Sequence, residues 1–131
     1  MIVPAGYVCG CAIISRVKVL VTGRRDFQNL DYLERELIAL GPTVIVHGFA
    51  PGADTCANTV ARKHGIECRR YPADWTTHGR AAGPIRNRAM FKAEHRPDEP
   101  IDVCLAFPGT GKGTHDMMAI CKDAGVRVEI R

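Results

Sequence analysis

The sequence predicts an α/β domain built on a mainly parallel sheet, and three observations carry that expectation. Short aliphatic runs alternate with amphipathic segments from Arg16 onward. The joints between them carry Gly, Pro and Asp, and two of those joints are glycine-rich turns leading from an apolar run into a helical stripe. Parallel neighbours need a crossover between them, and a helix-length segment after each strand supplies it. The 131 residues make one domain. A chain of that size withdraws roughly two thirds of its unfolded surface from water, enough to fold without disulfides or a structural metal.

Residues 17–22 form the first strand, a near-continuous apolar run. Leu30, Leu33, Leu37 and Leu40 then share one helical face, which stops at Gly41-Pro42, a glycine cap followed by a helix breaker. Residues 43–47 are the second strand. Ala53, Ala57, Val60, Ala61 and His64 form the next stripe, closed by Gly65, and residues 66–71 make the third strand. A longer loop runs to Gly83, where Pro84 at the first helical position opens a helix reaching His95. Residues 101–107 are the fourth strand, Thr114 caps a helix ending at Gly125, and residues 126–130 complete the sheet. No internal repeat or linker divides residues 16–131, while residues 1–15 read as an added arm or extra strand.

Right-handed crossovers leave few arrangements for about five parallel strands, and the commonest nucleotide-binding one has the order 3-2-1-4-5. The ligand crevice then opens between strands one and four. Residues 22–26 and 108–114 face each other across it, at the carboxyl ends of their strands.

Composition narrows the function classes. Eighteen Lys and Arg against 14 Asp and Glu leave a formal charge of +4, which suits an anionic ligand as well as nucleic acid. Charged residues break every apolar stretch well before the roughly twenty residues of a membrane span. Cys56, Cys68, Cys104 and Cys121 lie far apart within apolar segments and read as buried thiols of a cytoplasmic protein. Cys9-Gly10-Cys11 lacks the second Cys/His pair of a zinc site, so no metal is expected, nor any cofactor. Residues 1–14 have neither a positive n-region nor a small-residue cleavage site and do not read as a signal peptide.

Phe107-Pro108-Gly109-Thr110-Gly111-Lys112-Gly113-Thr114 carries the most chemistry. Its glycines let backbone approach an anion closely, and a helix start presents unpaired N–H groups to it, so a phosphate is the expected guest of Pro108, Gly109, Gly111, Lys112, Gly113 and Thr114. It is no Walker A loop, since Ala106 stands at the first Gly and Gly113 where the magnesium-binding hydroxyl belongs. A second glycine loop, His47-Gly48-Phe49-Ala50-Pro51-Gly52-Ala53-Asp54, offers Gly48 and Gly52 for close approach and Asp54 as helix cap or ribose acceptor. Arg24 and Arg25 leave the first strand beside Thr22 and Gly23, where a guanidinium suits phosphate. Arg86, Asn87 and Arg88 open a helix whose positive end favours an anion, and Trp75 reads as a loop anchor or a base-stacking ring.

Five ordered motifs are similar to one family: Val19-Leu20-Val21-Thr22-Gly23-Arg24-Arg25-Asp26-Phe27, the 47–54 loop, Pro72-Ala73-Asp74-Trp75, Ala82-Gly83-Pro84-Ile85-Arg86-Asn87-Arg88-Ala89-Met90, and the 106–117 turn ending in His115-Asp116-Met117. Together they resemble the YspA/cpYpsA-related branch of the SLOG superfamily, found in bacteria and their phages. The resemblance implies a Rossmann-like three-layer sandwich that binds a nucleotide or nucleotide-derived ligand. It also brings two related activities, that of the LOG phosphoribohydrolases, which release a base from a nucleoside monophosphate, and single-strand binding of the DprA type.

Three departures bear on function. Phe49 and Pro51 replace the Gly and Arg usual in relatives, and the fourth-strand turn is one residue longer than Pro-Gly-Gly-x-Gly-Thr. The position of the LOG catalytic Glu, three residues after the Thr, is Met117, which continues the apolar stripe with Cys121 and Ala124, while Asp116 projects about 100° away. The upstream LOG arginine has its counterpart in Arg86 or Arg88. The resulting expectation is a binding or sensor module with phosphate on residues 111–114, Arg25 and Arg86 neutralising it, and Asp54 or Asp74 at the sugar. A phosphoribohydrolase with Asp116 and Arg86 as its catalytic pair ranks second. Single-stranded DNA binding ranks third, because aromatics are only 6% of the chain and no basic stripe is visible. The oligomeric state stays open, a homo-oligomer included.

Overall fold

A computed structural model describes residues 16–131, so the arm expected for residues 1–15 lies outside the described residues. The elements run β1 (Lys18–Gly23), α1 (Leu30–Ala39), β2 (Val44–His47), α2 (Ala53–His64), β3 (Glu67–Arg70), α3 (Trp75–His78), a 3-10 turn (Gly79–Ala81), α4 (Ala82–Glu94), β4 (Val103–Phe107), α5 (Lys112–Asp123) and β5 (Arg127–Ile130). The five strands form one sheet in the order β3-β2-β1-β4-β5, parallel throughout, as the crossover rule predicts.

Alternation along β1 divides the core between the two faces of the sheet. Val19 and Val21 pack with Ile45 and Leu105 against Leu33 and Leu37 of α1 and Ala57 and Val60 of α2. Leu20 points the other way, with Val46 and Cys104, against Met90 of α4 and Met117 and Cys121 of α5. Helices on both faces explain why the three central strands read as continuous apolar runs. The edge strands β3 and β5 are half exposed and carry charge instead.

Lys18 interrupts the first apolar run and is nevertheless buried. Its Nζ donates to the Glu94 carboxylate at 2.9 Å and meets Glu99 at 3.0 Å, while Arg69 reaches the same two carboxylates and the Tyr71 hydroxyl donates to Glu94. This network ties β1, β3 and α4 together at the end of the sheet opposite the β1 and β4 loops.

Two helix starts differ from expectation. Pro84 is the third residue of α4, which begins at Ala82, and the segment before it is ordered as α3 and the 3-10 turn. Proline is tolerated there because N–H groups of the first helical turn have no intrahelical acceptor in any case. Thr114 does not cap α5. Gly111, with extended backbone (φ −70°, ψ 152°), stands at the N-cap, and Thr114 is the third residue of the helix.

Candidate functional site

Thr22 pairs with Ala106 and Gly23 with Phe107, so the loops leaving β1 and β4 start side by side. The Arg24 amide donates to the Phe107 carbonyl at 2.9 Å and holds them together. Beyond this point the chain opens into a cleft of about 830 Å³. Its walls are the β1 loop, the β2 loop at Gly48, Ala50 and Asp54, the start of α4, and the turn from Gly109 to Thr114.

Glycines set the depth of the cleft where two loops cross. A Cβ on Gly23 would run into Ala53, and one on Gly52, whose φ is +90°, would run into the Arg24 carbonyl. These glycines let α2 start directly against the end of β1, with the Ala53 amide donating to the Arg24 carbonyl at 3.3 Å. Gly111 and Gly113 differ in kind: a Cβ on either would meet nothing within 4 Å. No side chain caps α5. Its first amides therefore lie beside bare backbone at the edge of the cleft, and the His115 ring, 2.9 Å from the Gly109 carbonyl, steadies the turn.

The β2 loop is organised by Asp54 and His47. Asp54 Oδ2 accepts from the amides of Gly48 at 3.1 Å and Ala50 at 3.3 Å. It does not cap α2, whose N-cap is Gly52 without a side-chain bond. Its second oxygen, Oδ1, is buried with no partner. Burial pushes the carboxyl up to about 6, against the pull of the two amides and of Arg86 and Arg25. His47 Nδ1 accepts from the Phe49 amide at 2.9 Å, so Nε2 is the protonated nitrogen facing Asn58 Oδ1 at 3.2 Å. Burial brings this imidazole down to about 4, which keeps it neutral and structural. Phe49 takes a φ of +55°, in the left-handed region that favours glycine, and its exposed ring lies 5.0 Å from the Arg70 guanidinium.

Arg86 is bound into the wall. It donates to the Gly48 carbonyl at 2.6 Å, to the Tyr71 carbonyl at 3.3 Å and to Asn87 Oδ1 at 2.9 Å. A Cβ on Gly48 would overlap its guanidinium, so that glycine serves Arg86. Asn87 continues the chain of contacts, its Nδ2 donating to Asp116 Oδ2 at 3.0 Å and to the Gly113 carbonyl at 3.3 Å. Asp116 thus faces α4 behind Asn87, and Arg88 lies 3.5 Å from its other oxygen. Met117 is fully buried in the core.

Most of the expected residues converge. Thr22, Gly23, Arg25, Gly48, Asp54, Arg86, Asn87, Gly109, Gly111, Lys112, Gly113 and Thr114 line the cleft. Gly52 and Pro108 belong to the same loops but do not line the cleft. Asp74 caps α3, accepting from the Thr77 amide at 3.1 Å, and hydrogen bonding from the Thr77 side chain, with the amide second, holds its carboxyl below the usual range on the exposed side of the segment. Trp75 is no buried anchor. It is 48% exposed, lines the cleft and carries the Arg25 guanidinium 5.3 Å from its ring centre. Arg80 of the 3-10 turn also lines the cleft, and nothing in the sequence marks it, since its segment carries neither helical nor strand periodicity.

Comparison with known proteins gives the family of the chain. The chain is 37% identical over 125 aligned residues to the Gene 61 protein of Mycobacterium phage D29, an alignment covering 85% of this chain and 93% of the phage protein. The sequence model of the YspA, cpYpsA-related SLOG family matches residues 17–78, the stretch from β1 through α3 that supplies the β1 loop, the β2 loop and Trp75 to the cleft. The chain belongs to the YspA, cpYpsA-related SLOG family.

Proposed function

We propose that the cleft between the β1 and β4 loops binds a nucleotide or a nucleotide-derived metabolite, with a phosphate on the residue 111–114 turn, and that the protein acts as a binding or sensor module. The observation that carries this reading is the start of α5, where an uncapped helix end coincides with two glycines whose side-chain positions are open. Arg25, Arg80 and Lys112 supply positive charge around it. Arg86, already bonded to backbone carbonyls, contributes field more than direct contact. Trp75 offers a flat apolar face for a base.

Trp75 is the only tryptophan of the chain, so its fluorescence reports on the cleft directly. Nucleoside 5′-monophosphates are expected to change that emission and to raise the melting temperature. Gly113→Asp places a carboxylate where the anion would sit and is expected to abolish both effects while the protein stays folded. Undiminished nucleotide binding by this variant moves the phosphate elsewhere.

A second reading, hydrolysis of the N-glycosidic bond of a nucleoside monophosphate, draws on one observation: the Asp116 carboxylate lies one hydrogen bond behind Asn87, which lines the cleft. Release of free base by the wild type, lost in Asp116→Asn, is the result that favours it.

A further inference from the structure

Asp54 has a carboxylate oxygen that the protein does not use. The residue is 5% exposed, its Oδ2 is bonded to two loop amides, and its Oδ1 has no partner although the side chain lines the cleft. A buried acceptor left unsatisfied destabilises the fold, and a charged one does so more. Because the residue lines the cleft, a donor that arrives with a ligand is the group placed to satisfy this buried oxygen. That donor is not a phosphate oxygen, which the carboxylate would repel. Nor do the described residues offer a metal, since no group of three His, Cys, Asp or Glu surrounds a common point. Asp74, the other acid considered for the sugar, is occupied in capping α3.

We infer that Asp54 Oδ1 accepts a hydrogen bond from a hydroxyl of a ribose diol, so that the cleft selects ribonucleotides over nucleotides lacking the diol. The inference rests on the nucleotide reading of the cleft and assigns its sugar subsite. With the phosphate at the 111–114 turn and the base stacked on Trp75, the sugar lies between the two and presents its hydroxyls as donors. The β2 loop, where Asp54 sits, forms the remaining wall. The amides of Gly48 and Ala50 hold the carboxylate in one orientation, so the ligand spends little entropy ordering it.

The test compares uridine and adenosine 5′-monophosphates with their 2′,3′-dideoxy counterparts, read by Trp75 fluorescence and calorimetry. Hydrogen bonds to charged groups translate into a preference of about tenfold to a hundredfold for the diol. Asp54→Asn keeps an oxygen for the two amides but turns an NH₂ toward the sugar, and the preference is expected to collapse to less than about threefold. Equal binding of the ribo and dideoxy forms to the wild type overturns the inference and leaves the nucleotide reading intact. A preference that follows the base instead of the diol overturns it too. If no nucleotide of either series binds, the nucleotide reading falls and the sugar assignment with it.

Discussion

Asp54 and Met117 show how burial alone sets the role of a side chain. Asp54 titrates near 6 in the folded protein against an ordinary value of 3.8. Its raised value means that the fold prefers the protonated form, so stability contributed below the unfolded value is lost as pH rises from about 4 toward 6. The charged groups facing it are Arg25 from the β1 loop and Arg86 from α4, and neighbouring His47 stays neutral above about 4. Asp54→Asn cannot ionise. Relative to wild type, its urea-unfolding free energy is expected to improve between pH 4 and pH 6 by up to about 3 kcal/mol and then level off. A pH-independent difference contradicts this account. Met117 answers a different question. Its side chain is fully buried among Leu20, Met90 and Cys121, so Met117→Glu, which restores the LOG acid by sequence position, is expected to destabilise by about 3–5 kcal/mol without creating hydrolytic activity. Thermal unfolding and a base-release assay on the same preparation check both halves.

At the scale of elements, the two ends of the sheet do different work. The carboxyl ends of β1 and β4 leave polar backbone open toward the cleft, whereas the opposite end is closed by Lys18, Glu94, Glu99 and Arg69. Hydrogen bonds from Lys18 and Arg69 hold the Glu99 carboxyl down at about 2. Lys18→Met removes the one cation that is buried with Glu94 and is expected to cost about 3–5 kcal/mol. Adding Glu94→Gln recovers part of that loss, because it removes the carboxylate left without its main partner. A double-mutant cycle by urea denaturation reads the coupling, expected at about 1–3 kcal/mol, and strictly additive losses would show that the pair does not interact.

For the molecule as a whole, the +4 charge is spread thinly. Many cations already face carboxylates, as in Lys63 with Glu34, Arg127 with Glu129 and Arg131 with Glu36. Arg25, Arg80 and Lys112 remain around the cleft with no ion pair among the described residues, too few for a strand-length track. Single-stranded oligonucleotides are therefore expected to bind weakly at physiological salt, and log affinity to fall against log salt with a slope no steeper than about 2. Tight binding with a much steeper slope, measured by fluorescence anisotropy, reverses this ranking in favour of the single-strand role.

The order of strands and the position of the crevice were legible in the sequence, because aliphatic runs, glycine stops and the handedness of crossovers are local rules that act together. Gly111 to Thr114 could be assigned to the cleft for the same reason, as a glycine turn between a strand and a helix points one way only. Pairings between distant residues were decided by the tertiary structure. Lys18 looked like an interruption until Glu94 and Glu99 came to meet it, 76 and 81 positions away. Arg86 looked like a free cation until the carbonyls of Gly48 and Tyr71 closed on it. Asp54 could have capped its helix or faced a ligand, and only the folding of the β2 loop onto one of its oxygens left the other without a partner. Periodicity tells which face of an element is buried. It cannot tell which polar atoms the neighbouring elements will satisfy, and in this cleft the unsatisfied ones carry the proposed function.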